Sequence, residues 1–161
     1  MGTQAQKIVD YDLKKLIEHL NKALSDEWLA TFQYWVGSKV VKGPFSPLVA
    51  KELAEHSKEE YEHAELLTNR IIVLGGTPVL EPKDWYKFST CGFKKPTIFR
   101  EIGLLEDNIK SERCAIAVYN NLLKEIRGKD DVTFNLIEQI MEDEIEHEED
   151  LQRILEDIKL K

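Results

Sequence analysis

The chain has 161 residues, enough for one domain with a sizeable core, and its make-up of 42% apolar and 32% charged residues is that of a water-soluble helical protein. A net charge of −8 argues against a nucleic-acid footprint, and no apolar run approaches the length of a membrane span. The first dozen residues, MGTQAQKIVDYD, lack the apolar core of a signal peptide, so a cytoplasmic location is expected. Two cysteines, Cys91 and Cys114, are too few for a secreted disulfide framework and are either inert thiols or a redox pair.

The five prolines fall in two places, Pro44 and Pro47 at one break and Pro78, Pro82 and Pro96 at another. A third break, RGKDD at 127–131, carries the glycine stop and aspartate start expected between helices. Four helices are predicted, at about 12–41, 47–74, 97–127 and 131–159, with Ser46 and Asp131 as N-caps. The first presents Leu13, Ile17, Leu20, Leu24, Glu27, Thr31 and Tyr34 along one face, at the three-four spacing of a bundled helix. The second presents Val49, Leu53, His56, Glu60, His63 and Leu67. The segment 76–96 is longer than a bundle turn needs. Extended, it could reach roughly 65 Å, against about 42 Å for a 28-residue helix. It therefore predicts one long crossover that starts the third helix beside the second, pointing the same way. That third helix presents Ile102, Leu105, Ile109, Glu112, Ile116, Tyr119, Leu123 and Ile126. The fourth, which contains EDEIEHEE, presents Ile137, Ile140, Glu144, His147, Leu151, Ile154 and Ile158. The expected architecture is a single all-α domain over 1–161, a four-helix bundle with one long crossover between the second and third long helices.

Ionisable residues interrupt every seam near its middle. The first and third helices each carry a Glu followed seven positions later by Tyr, Glu27 with Tyr34 and Glu112 with Tyr119. The second and fourth each carry Glu-x-x-His, Glu60 with His63 and Glu144 with His147. Glu27 to Glu60 spans 33 positions and Glu112 to Glu144 spans 32, so the halves repeat. Four carboxylates buried together oppose one another's ionisation. Two divalent cations would offset them, and Glu and His at i, i+3 share a helix face from which both can reach one ion. Carboxylate plus imidazole suits iron, with manganese the alternative, and the seams hold no thiolate for a structural zinc. His56, one turn before Glu60, is a hydrogen-bonded core histidine or a transient iron ligand. Trp28, Phe32 and Trp35 line a different face and are expected at a subunit contact, with packing beneath the crossover as the alternative.

These motifs resemble the ferritin-like di-iron carboxylate proteins, whose pattern of one Glu from each of two helices and Glu-x-x-His from the other two is a standard example of a metal-binding bundle. The resemblance covers nearly the whole chain. It implies that Glu27 and Glu112 are terminal ligands, that Glu60 and Glu144 bridge two iron ions, and that His63 and His147 each bind one. Tyr34 and Tyr119 would stand behind the ligands. Within the superfamily, Tyr61 occupies the position at which bacterioferritins place a haem-ligating methionine, so no haem is expected. Ala115 stands where rubrerythrins add a glutamate. Fourteen residues follow His147, too few for the fifth helix of 24-subunit cages. With a cysteine pair near the site, the chain is most similar to the Dps-like proteins called thioferritins. That likeness implies a homo-oligomeric cage, a dodecamer, that oxidises Fe(II) with hydrogen peroxide or dioxygen for iron storage and oxidative-stress protection. It also implies a disulfide or redox relay between Cys91 and Cys114. The alternative is a non-storage di-metal peroxidase or oxidase, rubrerythrin-like in chemistry.

Overall fold

The structure, a computed structural model, describes residues 2–160. The expected span 1–161 therefore includes two residues, 1 and 161, outside the described set. Six helices follow in chain order: α1 (Gln4–Lys7), α2 (Leu13–Val40), α3 (Ser46–Val73), α4 (Pro82–Phe88), α5 (Glu101–Ile126) and α6 (Asp131–Lys159). Among the described residues there is no strand, only an isolated bridge between Lys42 and Arg100. Among the described residues no helix is long and apolar enough to cross a membrane. The long helices α2, α3, α5 and α6 form the ferritin-like bundle that the periodicity predicts.

Cross-helix contacts give the directions. Tyr34 of α2 meets Glu112 of α5, while Tyr119 meets Glu27, so α2 and α5 run antiparallel. Arg70 of α3 meets Asp130 and Thr133, and Glu59 meets His147, so α3 and α6 are antiparallel as well. Short links make α2 with α3, and α5 with α6, antiparallel neighbours, which leaves α3 and α5 pointing the same way.

The crossover performs that return by tracking α2. The Asn21 side chain accepts from Val79 N at 2.8 Å and donates to the Thr77 carbonyl at 3.1 Å. One oxygen of Asp26 accepts from the backbone N–H of Thr90 at 2.9 Å and of Cys91 at 2.8 Å, as well as from the Ser89 hydroxyl. Gln33 accepts from Lys94 N at 2.8 Å. Three polar side chains spaced along α2 thus satisfy backbone groups of a segment with little secondary structure of its own. The short α4 stacks Trp85 on Trp28, with ring centroids 5.3 Å apart. Trp28 consequently packs beneath the crossover, while Phe32 and Trp35 stay about half exposed.

Three helix starts differ from the sequence expectation, one in its position and two in their caps. Helix α5 starts at Glu101, four residues after the predicted start at 97, because Lys42 N donates to the Phe99 carbonyl at 2.7 Å and keeps the preceding residues extended. The buried Glu101 side chain accepts from Phe45 N at 2.9 Å, tying the α2–α3 turn to the start of α5. Gly43 makes that approach possible. Its φ is +135°, and a Cβ there would overlap the Glu101 carboxylate. The caps also fall one residue earlier than expected. Phe45 precedes α3, with Ser46 and Pro47 inside its first turn. Asp130, not Asp131, caps α6 by accepting from Thr133 N at 3.1 Å. That aspartate also receives Arg70 at 2.9 Å, a buried ion pair between α3 and the start of α6. Ile102, expected on the seam, is 39% exposed.

The apolar interior is divided into two clusters. One contains Leu16, Leu20, Leu67, Ile71, Ile126 and Ile137, the other Val49, Leu53, Leu105, Ile109 and Leu151. Between them lies a layer of buried ionisable side chains.

Candidate metal centre

All six residues singled out by the seam motifs meet in that layer. Glu27, Glu60, Glu112 and Glu144 are 1–2% exposed, and His63 and His147 are 3% exposed. They form two overlapping groups whose ligand atoms lie within 4.8 Å of one another. One is Glu27, Glu60, His63 and Glu144; the other is Glu60, Glu112, Glu144 and His147. Glu60 and Glu144 belong to both. Glu60 turns Oε2 toward His63 Nδ1 at 3.3 Å and Oε1 toward His147 Nδ1 at 3.3 Å. Glu144 turns Oε1 toward His63 Nδ1 at 3.3 Å and Oε2 toward His147 Nδ1 at 3.2 Å. Each carboxylate therefore presents one oxygen to each half of the centre, the disposition of a bridge between two ions.

The remaining atoms are held reciprocally across the bundle. The Tyr34 hydroxyl of α2 donates to Glu112 of α5, and the Tyr119 hydroxyl of α5 donates to Glu27 of α2. His63 Nε2 of α3 contacts Asp143 of α6 at 3.1 Å, and His147 Nε2 of α6 contacts Glu59 of α3 at 2.9 Å. With the Nε2 side of each ring engaged by a carboxylate, Nδ1 faces the centre, the usual way a metal-binding imidazole is oriented. Glu59 and Asp143 escaped the motif reading because both look like surface acids. A signal was present nonetheless, since each immediately precedes a Glu-x-x-His glutamate.

The donor set fits divalent metal. Glu27 Oε2, Glu60 Oε1, both oxygens of Glu144 and His147 Nδ1 are buried without a hydrogen-bond partner. Orphaned buried carboxylate oxygens cost several kcal/mol unless a cation meets them. Protons meet part of that cost in the metal-free chain. Burial, then the charges of Glu144 and Glu60, push the carboxyls of Glu27 and Glu112 well above the usual range. Burial alone would depress the histidines, yet Glu144 and Glu60 hold His147 up at about 12, and Glu144, Glu27 and Glu60 hold His63 far above its ordinary value. Burial also works against ionising Glu60, but contacts from His147 and His63 keep its carboxyl below the usual range. Burial, and then the facing glutamates, raise both tyrosines, which stay neutral donors.

Cys91 and Cys114 are joined in a disulfide, with Cα atoms 5.7 Å apart, that pins the crossover to α5. Cys91 lines a void of about 20 Å³ whose other walls include Glu27, Glu60, Glu112 and Glu144. His56 is buried and stacks on His147 with centroids 4.1 Å apart. Burial, then His147, push its imidazole down to about 3, so it is neutral.

A family model described as a ferritin-like domain matches residues 17–161. A dodecameric thioferritin from Bacteroides fragilis, described as bacterioferritin-related, is 45% identical and superposes with a TM-score of 0.96 over 98% of this chain and 95% of its own. The DNA protection during starvation protein of Pyrococcus furiosus is 29% identical over 141 residues, 85% of this chain and 75% of that protein. A bacterioferritin from Brucella melitensis is 33% identical over 135 residues, 83% of this chain and 78% of that protein.

Proposed function

The chain belongs to the ferritin-like family of iron-storing and iron-oxidising proteins, and from that premise we propose that it is the ferroxidase subunit of a Dps-like cage. Its substrate is Fe(II), two ions per subunit, with hydrogen peroxide as the preferred oxidant and dioxygen as the second. Manganese is the alternative occupant, and no haem enters the reading. The observation that carries the proposal is the pair of ligand groups sharing Glu60 and Glu144, with their oxygens orphaned in the metal-free chain.

In this reading Glu27 and Glu112 are terminal ligands, Glu60 and Glu144 bridge, and His63 and His147 bind through Nδ1. Each Fe(II) would supply one electron, so that one hydrogen peroxide, taking up two protons, would be reduced to two waters without releasing a hydroxyl radical. The chain holds the two sites at equal reach of one oxidant. Tyr34 and Tyr119 fix the terminal carboxylates, Asp143 and Glu59 fix the imidazoles, and the apolar clusters on either side exclude bulk water. The Cys91–Cys114 pair, with Cys91 at the wall of the small void, is assigned as a redox relay: as the dithiol it would give two electrons and two protons to hydrogen peroxide, leaving the disulfide and two waters, and a thiol reductant would restore it. The Bacteroides fragilis relative supports a dodecameric assembly for this chain.

Particle mass and iron per chain, measured by ultracentrifugation after adding excess Fe(II) with hydrogen peroxide, test the proposal. A large closed particle holding many irons per chain is expected. A small oligomer that stops at two metals per chain would replace the storage reading with a di-metal oxidase or peroxidase. Glu144→Ala should abolish oxidation in either case, and parent-rate oxidation by that variant would refute the assigned ligands.

A further inference from the structure

The small void beside the disulfide holds a buried polar atom that the paired centre does not use. Cys91 and the exposed Gly92 line it from the crossover, Glu27, Glu60, Glu112 and Glu144 line it from the centre, and Asp26 lines it as well. Asp26 is 8% exposed, and its Oδ2 has no hydrogen-bond partner. Glu27, Glu60 and Glu144 also carry partnerless oxygens, but those belong to the ligand groups of the two ions, and Asp26 belongs to neither group.

The other polar walls are already satisfied. The Ser111 hydroxyl donates to the Asp107 carbonyl at 3.3 Å and accepts from Gln33 Nε2 at 3.0 Å, while Gln33 Oε1 accepts from Lys94 N. With ions in place, Asp26 Oδ2 is the acceptor left over. Its direction is fixed from the opposite side. Asp26 Oδ1 accepts from Thr90 N, Cys91 N and the Ser89 hydroxyl, so the carboxylate cannot turn without breaking three hydrogen bonds. Gly92 N donates to Ser89 Oγ at 2.7 Å and closes the loop around that oxygen.

A water needs roughly 10–15 Å³, so a void of about 20 Å³ takes one molecule of about that size. A buried oxygen without a partner calls for a donor. Hydrogen peroxide meets both conditions, being little larger than water and carrying two O–H groups. Dioxygen is as small but has no proton to donate. We propose that the void is the hydrogen peroxide site of the centre, and that Asp26 Oδ2, by accepting from one peroxide O–H, selects peroxide over dioxygen. The proposal rests on the ferroxidase reading and gives its oxidant a place. There one peroxide lies beside two reductants. Two Fe(II) would give one electron each, with two protons taken up, or the Cys91–Cys114 dithiol would give two electrons and two protons. Either way the O–O bond breaks, two waters form, and Asp26 is unchanged.

Asp26→Asn tests this on the whole protein, because the amide keeps an oxygen for the three donors and replaces the Oδ2 acceptor by NH2. In one arm, stopped-flow oxidation of Fe(II) compares hydrogen peroxide with dioxygen. In the other, the reduced, chelator-treated protein is oxidised at its dithiol by hydrogen peroxide or by diamide, an azo oxidant with no O–H group and too large for the void. The variant should lower the peroxide-to-dioxygen and the peroxide-to-diamide rate ratios roughly tenfold, the effect of losing one hydrogen bond to a charged group. With a reactive parent, an unaltered ratio in either arm overturns the proposal, as does an equal loss with every oxidant. A parent that oxidises no iron refutes the ferroxidase reading alone, since the dithiol arm still tests the void. A parent whose dithiol ignores peroxide refutes the relay alone, since the iron arm still does. A parent that consumes peroxide in neither arm overturns all three.

Discussion

Replacing Glu112 by Gln changes one charge at the paired centre and almost nothing else. In the metal-free protein burial and the facing charges of Glu144 and Glu60 already favour the uncharged carboxyl. An amide has the same shape, and its oxygen can still accept from the Tyr34 hydroxyl as Glu112 does. Unfolding of the metal-free variant should therefore lie within about 1 kcal/mol of the parent. The loaded protein behaves differently. An ion that binds only the folded state stabilises it by about 2.7 kcal/mol at a hundredfold excess over Kd, or roughly 5–11 °C for a chain of this size. A ligand lost from one of the two sites weakens that ion by about 10–100-fold, so much of its contribution goes. Thermal unfolding followed by circular dichroism, with chelator and with Mn(II), measures both states. The expected result is a parent-like midpoint in chelator and a metal-dependent rise several degrees smaller than the parent's. An equal loss in both states would make Glu112 a structural residue, and an undiminished rise would remove it from the ligand set.

Other consequences follow from the same contacts. Tyr34→Phe leaves Glu112 without its donor and should weaken Co(II) binding about tenfold while retaining two ions per chain, as titration calorimetry would read. Loading Co(II) at neutral pH should release about two protons or more per chain, because His63 and His147 are held protonated and must give up Nδ1 to bind. An indicator dye in weak buffer counts them, affinity should climb with pH across pH 5–8, and silent binding would refute the assignment. Arg70→Met strands a buried aspartate and should cost about 3–5 kcal/mol in urea unfolding. Burial opposes ionisation of Asp130, yet Thr133 and then Arg70 hold its carboxyl below the usual range. Its contribution is therefore complete above about pH 4, the unfolded value, and disappears as pH falls through the lower folded one. The difference between parent and Arg70→Met should shrink in that acidic window.

The centre was legible because a bundle seam is a repeating pattern, and a charged residue at a seam position has nowhere to point but inward. Glu27, Glu60, Glu112 and Glu144 announce themselves by position alone. What the pattern could not carry were contacts between residues on polar faces. In sequence Asp143 and Glu59 read like solvated acids such as Glu142, and only the packing of α3 against α6 brings them onto the histidines. The start of α5 was hidden for a similar reason. Pro96 is a good local start signal, but a hydrogen bond to Lys42, far away in sequence, overrides it. For Trp28 the sequence left two places open, a subunit contact or the underside of the crossover, and only the folded course of the stretch that carries Trp85 shows the two rings stacked.

The reciprocity of the contacts has an energetic consequence. Each half of the chain supplies what the other half lacks: α2 and α3 present Tyr34 and Glu59 to Glu112 and His147, and α5 and α6 present Tyr119 and Asp143 to Glu27 and His63. Each helical pair supplies three of the four side chains of one group and the other pair supplies the fourth, so both groups are complete only when the pairs dock. Docking without metal brings four buried carboxylates together, which opposes it. The opposition is met by the apolar clusters on both sides of the charged layer, by the Arg70–Asp130 pair at one end and by the crossover fastened to α2 through Asn21, Asp26 and Gln33. The disulfide closes the same arrangement from α5. Stability is placed around the charged layer, so that its buried carboxylate oxygens can stay unpartnered within a folded bundle.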